Sequence, residues 1–382
     1  MYEAIIAGLS GLLEGTRFLA TKGGPNLVMM LVSAALLYLA IKKDVEPLLL
    51  LPIGFGCFLV NMPLSDVMDP GGVLKFLYDI GIITEIFPLL IFVGIGAMTD
   101  FSPLLENPKI LLFGAAGQFG IFLTLALALA LGFSQLDAVC IGIIGACDGP
   151  TAIYVTSQFA PHLLGPVSVA AYSYMALVPI IQPPIMRALT SPAERVIRMK
   201  ATKSSVSSTT LILFPILVTA LTGLIAPKGL PLMGMIMLGN FMKASGVVAR
   251  LTGASENEIA NIVTLFLGLA IGGTMEGHNF LKPATLAIFG LGFVAICFDT
   301  VAGVFLGKIM CFISGGKINP LIGAAGISAY PMAARVVQGE GWRADKKNHL
   351  LMHAMGANTG GQIGSVMAAA IMLAVLKGMG LI

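Results

Sequence analysis

The stretch that decides the fold is IGIIGACDGPTAIYVTS, residues 141 to 157. It sets one carboxylate, Asp148, beside Gly149 and Pro150, inside sequence otherwise apolar enough to lie in a bilayer. A charge at the centre of a membrane helix costs about 2.5–3.5 kcal/mol on insertion scales, so an acid kept there needs a partner or a task. Pro150 has no N–H and disfavours helical geometry at Gly149, so the helix is expected to open at this point. Opening frees backbone carbonyls beside the acid. Hard oxygen ligands of this kind suit a small cation such as Na+, or a proton. The competing reading is an Asp that merely caps a helix at an interface.

Composition supports membrane depth. Hydrophobic residues make up 57% of the 382 and charged residues only 11%, against roughly 25% charged in a soluble domain. The mean hydropathy is +0.94. Uncharged runs such as ILLFGAAGQFGIFLTLALALALGF (110 to 133) reach the ~20 residues that span hydrocarbon. The chain reads as an all-α polytopic membrane protein with roughly ten to twelve passes, some of them broken. Basic residues concentrate in two connections, 186–204 and 335–349, which the positive-inside tendency puts in the cytoplasm. The net charge of +3 is not gathered on one face, so no nucleic-acid partner is expected. Five scattered cysteines without a CxxC pair read as free buried thiols. Residues 1–25 read as an interfacial helix rather than a signal peptide. Phosphate-binding loop, dinucleotide fingerprint and HExxH are all missing, and His349 and His353 are assigned no metal.

Internal similarity divides the rest of the chain. IGAMTD (95–100) resembles IGGTME (271–276), and each precedes a proline, Pro108 or Pro283, and a long apolar span. In those spans Phe113-Gly114 answers Phe289-Gly290, and further on IGACDGPTA (144–152) answers IGAAGISAY (322–330). The division is then a first transmembrane half, 26–185, a basic connection, 186–207, and a second half, 208–382. The other reading is that Gly/Ala/Ile-rich membrane helices all look alike. Paired broken helices in two halves are the sequence pointer to a transporter's midplane site.

Three further elements are candidates for that site. NPLIGAAGISAYPMAAR (319–335) carries Asn319, Gly323 and Ser328 and ends at Arg335; an N-cap Asn319 and a snorkelling Arg335 are the plainer readings. HAMGANTGGQIGSV (353–366) brings Asn358, Thr359 and Gln362 into an apolar stretch, where polar helix packing is equally able to explain them. AAYSYMALVP (170–179) contributes Tyr172 and Tyr174, as ligands or proton relays or as interface-belt tyrosines. Asp299, in AICFDTVAG, is a second acid at depth with no obvious partner.

GACDGPTAIYVTS, NPLIGAAGISAYPMAAR and GANTGGQIGSV resemble the β subunit of the sodium-pumping biotin-dependent decarboxylases, a family acting on oxaloacetate, methylmalonyl-CoA, glutaconyl-CoA or malonate. The resemblance runs from about residue 26 to the end; Cys147 stands where a smaller residue is expected. It implies a bacterial inner-membrane subunit that decarboxylates carboxybiotin, consumes a proton and moves Na+ outward. The carboxybiotin arrives on a separate biotin carrier, loaded by a carboxyltransferase subunit, and a small membrane subunit completes the complex. Asp148 then corresponds to the central Na+- and proton-coupled acid. Asn319 and Asn358 join it as Na+ ligands, with Gly323 for backbone approach. Tyr174, Ser328 and Arg335 become catalytic, Ser328 and Arg335 also contacting the cofactor. The implied fold has two inverted repeats, a scaffold forming homotrimers and an elevator-type core. The alternative is a sodium-coupled secondary transporter or Na+/H+ antiporter without carboxybiotin chemistry.

Overall fold

The computed structural model describes residues 23–43, 46–199 and 206–380, all of it helix, turn or irregular chain. Residues 1–22, most of the expected interfacial helix, lie outside the described residues, as do 200–205 of the basic connection.

Among the described residues six helices are long and apolar enough to cross a membrane: Gly24–Lys43, Pro108–Ala130, Pro161–Leu189, Ser208–Ile225, Pro283–Ile313 and Leu351–Gly378. Val73–Ile83 with Ile86–Met98 adds a seventh, bent by 62°. The expected ten to twelve passes also include shorter apolar helices such as Pro47–Val60 and Gln135–Ala146. Gln135–Gly142 tightens into the 3-10 turn Ile143–Ala146, stops at Cys147 and Asp148, and restarts as Gly149–Phe159. Pro150 sits in the first turn of the new helix, where its missing N–H is not needed. The break therefore falls just before Gly149-Pro150 and not after it. Asn319 opens the matching 3-10 segment Pro320–Gly326, which leads through a bend and a turn at 327–331 into Met332–Ala344.

The run 110–133 supplies a spanning helix as expected, though not as one uninterrupted helix: Leu111–Ala116 and Phe119–Ala130 are separated at Gly117-Gln118. Gln118 Nε2 is drawn to the carbonyls of Gly114, Gly326 and Gly361, 3.1 to 3.4 Å away, so the side chain serves backbone from three segments. Nor is 335–349 mainly a loop. Met332–Ala344 is an amphipathic helix that buries Ala333, Ala334, Val337 and Gln338 while exposing Arg335, Trp342 and Arg343.

The buried side chains fall into two main clusters. The smaller joins Gly24–Lys43, Pro47–Val60, Ala260–Gly273 and the bent pair through Met29, Ile53, Phe87 and Leu267. The larger runs through Phe113, Ile144, Ile296, Ile322, Ala334 and Leu373. Helix direction follows from shared ends. Gly165, at the start of Leu164–Leu189, lies against Thr274, at the end of Ala260–Gly273. Glu256 and Arg187 consequently mark the opposite face. On that face Lys308 Nζ reaches Leu189 O at 2.9 Å, and Arg187 pairs with Glu340. There too, Arg198 Nε donates to Asp345 Oδ2 at 2.6 Å and holds that carboxyl below its usual range.

Gly323 packs on Gly303 of the long helix so closely that a Cβ would stand 1.8 Å from the Gly303 carbonyl oxygen. Gly323→Ala should therefore lower stability by about 1–3 kcal/mol through overpacking, read as a lower thermal midpoint. Gly290→Ala, whose Cβ meets nothing within 4 Å, should stabilise slightly or do nothing.

Candidate functional site

Asp148 is 3% exposed and caps helix Gly149–Phe159. Cys147 before it takes a left-handed φ of 51°, which turns the chain out of the 3-10 segment and directs the acid into the interior. Thr151 N–H donates to Asp148 Oδ1 at 3.3 Å, while the Thr151 and Ser365 hydroxyls donate to Oδ2 at 2.8 and 2.9 Å. Three donors and a helix N-terminus thus converge on the carboxylate oxygens. The acid is both a cap and a polar centre, so the two readings of it describe one geometry.

The second broken element meets the first here. Ser328 N–H donates to Ala146 O at 3.2 Å, and its hydroxyl to Gly361 O at 2.8 Å. Asn358 Nδ2 donates to Ile327 O at 2.6 Å, and Gln362 Nε2 to Ser328 O. A backbone carbonyl only accepts, so these amide nitrogens are forced toward it and their oxygens away. Asn358 Oδ1, Gln362 Oε1 and Gln118 Oε1 are all buried and have no hydrogen-bond partner among the described residues. The crossing point thus offers acceptors whose neighbouring donors are already engaged. Unpaired buried acceptors are costly, and a cation removes that cost.

A cavity of about 240 Å³ reaches this point, lined by Cys147, Asp148, Tyr172, Ser328, Tyr330 and Gln362 and, farther out, by Glu46, Glu256, Asn261 and Thr264. It runs between the two packed clusters toward the face that carries Glu256 and Arg187. Arg335 is exposed in the first turn of Met332–Ala344, just past Tyr330, and has no ion pair among the described residues.

Not every candidate joins the cluster. Tyr174 donates its hydroxyl to Phe289 O at 2.5 Å and packs beside Phe289 and Phe293. Tyr172, not Tyr174, lines the cavity beside Tyr330, its hydroxyl without a hydrogen-bond partner among the described residues. Asn319 donates to Arg195 O and Ile197 O at 3.0 and 2.9 Å and accepts from Leu321 N at 3.0 Å. A Cβ on Gly145 would touch Ala295, whereas one on Gly307 would meet Pro320. Ala295 and Gly307 stand roughly 18 Å apart along their helix, so Asn319 ties down the basic connection well away from Asp148. Gly323 serves close backbone approach, but to Gly303. Asp299 is buried and accepts from Gly120 N–H in the first turn of Phe119–Ala130.

Thr151, Gln118 and Ser365 join the cluster without being candidates from the sequence, whereas Gln362 is one of the candidates in 353–366. Thr151 follows Asp148 at capping spacing, and Asn358, Gln362 and Ser365 sit at i, i+4 and i+7 on one helix face. Those signals are present in the sequence; Gln118, a lone amide in an apolar run, gives almost none.

The family model described as the Na+-transporting oxaloacetate decarboxylase beta subunit matches residues 25–376. The chain belongs to this family. It is 52% identical over 373 residues to the methylmalonyl-CoA decarboxylase subunit beta of Propionigenium modestum, covering 91% of this chain and 94% of that protein. It is 50% identical over 376 residues to the glutaconyl-CoA decarboxylase subunit beta of Acidaminococcus fermentans, covering 98% and 100%. With the oxaloacetate decarboxylase beta chain of Klebsiella pneumoniae it shares 46% over 426 aligned positions, covering 96% and 98%. The similarity to these differently named relatives extends over nearly the full chain.

The cavity's direction is testable. In a variant lacking the five native cysteines, Thr264→Cys and Asn261→Cys should react with a small charged thiol reagent supplied at the basic face and not from the other. Reaction only from the opposite side would contradict the geometry.

Proposed function

We propose that this chain is the membrane subunit of a sodium-translocating decarboxylase complex, coupling decarboxylation of carboxybiotin to outward Na+ transport. The observation that carries the proposal is a buried carboxylate lining a cavity with Ser328, Tyr330 and Gln362, with the exposed Arg335 five residues beyond Tyr330. Na+ would bind Asp148 with oxygens of Asn358 and Gln362, which satisfies the buried acceptors. Arg335 would hold the carboxybiotin carboxylate by charge-assisted hydrogen bonds at the mouth. Transfer of that anion out of water favours loss of CO2, in one framing of such reactions. A proton taken up at Asp148 when Na+ leaves is the proton that biotin nitrogen receives as CO2 departs.

The wider arrangement belongs to the same proposal. The two halves, 26–185 and 208–382, would be inverted repeats. Helix Pro108–Ala130 runs alongside Leu351–Gly378, with Ile110 by Gly356 and Gly114 by Gly360, and so leaves the basic face, whereas Pro283–Ile313 runs toward it. The smaller cluster would be the scaffold, the larger the elevator-type core, and the cavity between them the place where they slide. A homotrimer in a bacterial inner membrane, basic connections in the cytoplasm, and partnership with carboxyltransferase, biotin-carrier and small membrane subunits complete the reading. Family membership favours it over a plain sodium-coupled carrier, which would not release CO2 from free carboxybiotin.

Reconstitution with the partner subunits tests the site. Asp148→Asn keeps shape but removes the charge and the titratable proton, so the protein should insert yet neither pump nor turn over. Near-normal Na+ uptake by that variant would end the proposal. Na+ and H+ compete for one carboxylate, so the half-saturating Na+ concentration in wild type should rise as pH falls. Ser365→Ala, losing one hydrogen bond to a charged group worth about 1.5–3 kcal/mol, should shift Na+ or pH dependence while retaining turnover.

Arg335 makes a separable case. Arg335→Ala should impair use of carboxybiotin far more than Na+ affinity. Arg335→Lys should rescue it only in part, since lysine keeps the charge and loses the planar fork. Equal loss of Na+ affinity, with biotin dependence unchanged, would remove Arg335 from this role.

A further inference from the structure

On the basic face, apart from the Asp148 cavity, a second hollow of about 280 Å³ lies between the end of Leu164–Leu189, the turn Pro192–Arg195 and helix Met332–Ala344. Three guanidinium groups line it, those of Arg187, Arg195 and Arg343, and one carboxylate, that of Glu340. Glu340 is 8% exposed at its side chain and accepts from Arg187 Nε at 2.7 Å and Nη2 at 2.5 Å, a two-pronged pair; Arg343 Nη1 stands 4.0 Å from the same carboxylate. Arg195 Nη1 donates to Arg187 O at 3.1 Å. The nearby acids are otherwise engaged: Glu194 accepts from Ser191 N–H and faces Lys308 at 3.5 Å, and Asp345 pairs with Arg198. Three positive charges thus meet one negative charge, with Arg187 and Arg195 held by hydrogen bonds and donors left over. An anion that enters need not order those two.

The chemistry favours a phosphate-type oxyanion, which matches planar guanidinium donors in pairs. The surroundings distinguish its source. The exposed face of Leu164–Leu189 that leads to Arg187 carries Ile180, 60% exposed, and Pro184. On the neighbouring long helix Phe305 and Phe312 are 63% and 88% exposed on either side of Lys308. Val196, also exposed, lines the hollow itself. A soluble oxyanion has no use for apolar surface continuing away from its site, whereas a lipid lays acyl chains there. We propose that the Arg187–Arg195–Arg343 hollow binds the phosphate headgroup of an anionic phospholipid in the leaflet at the basic face. Basic hollows between spanning helices on the cytoplasmic side are suited to such headgroups. The proposal is independent of carboxybiotin chemistry and of Asp148.

The test is native mass spectrometry of the full chain released from mixed micelles containing equal phosphatidylglycerol and phosphatidylcholine. Wild type should retain phosphatidylglycerol in preference. The double variant Arg195→Gln/Arg343→Gln should lose roughly 10- to 30-fold in retention, two surface-level charges having been removed. Arg250→Gln, on an exposed short helix elsewhere, should not change it. Arg187 stays in place in the double variant because its loss would strand Glu340. Should that variant fail to fold, the wild-type thermal midpoint decides: phosphatidylglycerol should raise it and phosphatidylcholine should not. Equal retention of both lipids, unchanged retention by a folded double variant, or no selective rise in the midpoint overturns the proposal. Displacement by excess inorganic phosphate overturns the lipid assignment in favour of a soluble oxyanion.

Discussion

A membrane interior offers no water to a backbone carbonyl, so a helix broken at depth must find donors elsewhere in the chain. This protein meets that demand with carboxamides. Gln118 serves Gly114, Gly326 and Gly361; Asn358 serves Ile327; Gln362 serves Ser328. Each pairing fixes a side chain whose other end is an oxygen, so the repair of the backbone also creates the acceptor-rich centre around Asp148. Stability and site chemistry rest on the same few bonds. An apolar replacement of Gln362 would remove a ligand candidate and expose a carbonyl at once.

Much of this was readable beforehand. Asp148 beside Gly149-Pro150 announced a break, and apolar run length announced the class, because a bilayer imposes length and composition directly. The motifs at 145–157, 319–335 and 353–366 also announced the family. Where the reading stopped is equally physical. Proline at 150 starts a helix as readily as it ends one, so its presence located the break only to within a residue or two. Asn319 has the chemistry of a cation ligand, yet a 3-10 segment rising about 2 Å per residue carries it away from the acid and into contact with the basic connection. Tyr172 and Tyr174 cannot be told apart by composition; only the rotation of Leu164–Leu189 decides that Tyr172 faces the cavity. The glutamine at 118 is invisible as a structural hub until the three segments it joins are brought together.

The two hydrophobic clusters give the acid its setting. Asp148 and Ser328 belong to the larger body, while Leu49 and Ile91 across the cavity belong to the smaller. Helices Gly149–Phe159 and Leu164–Leu189 serve both clusters, sending Ile153, Leu164 and Tyr172 into the smaller and Ala152, Val155 and Tyr174 into the larger. Interiors at crystal-like density resist deformation, so the proposed sliding would have to occur along the seam that these two helices cross.

The depth of that cavity has an electrical consequence. A hydrated hollow continuous with one bathing solution brings that solution's potential down to its floor, so the transmembrane voltage falls mainly across what remains. From Asp148 to the opposite side this remainder is spanned by Gly149–Phe159, 11 residues and about 16 Å of helix. Moving one charge through the full voltage involves about 2.3 kcal/mol per 100 mV, and with the cavity filled from that side nearly all of it would be concentrated in the remaining layer, about half a bilayer thick. The Na+ proposed at Asp148 would, in this conformation, have crossed little of the field, and the voltage would act chiefly on the proposed movement of the site through the remaining half.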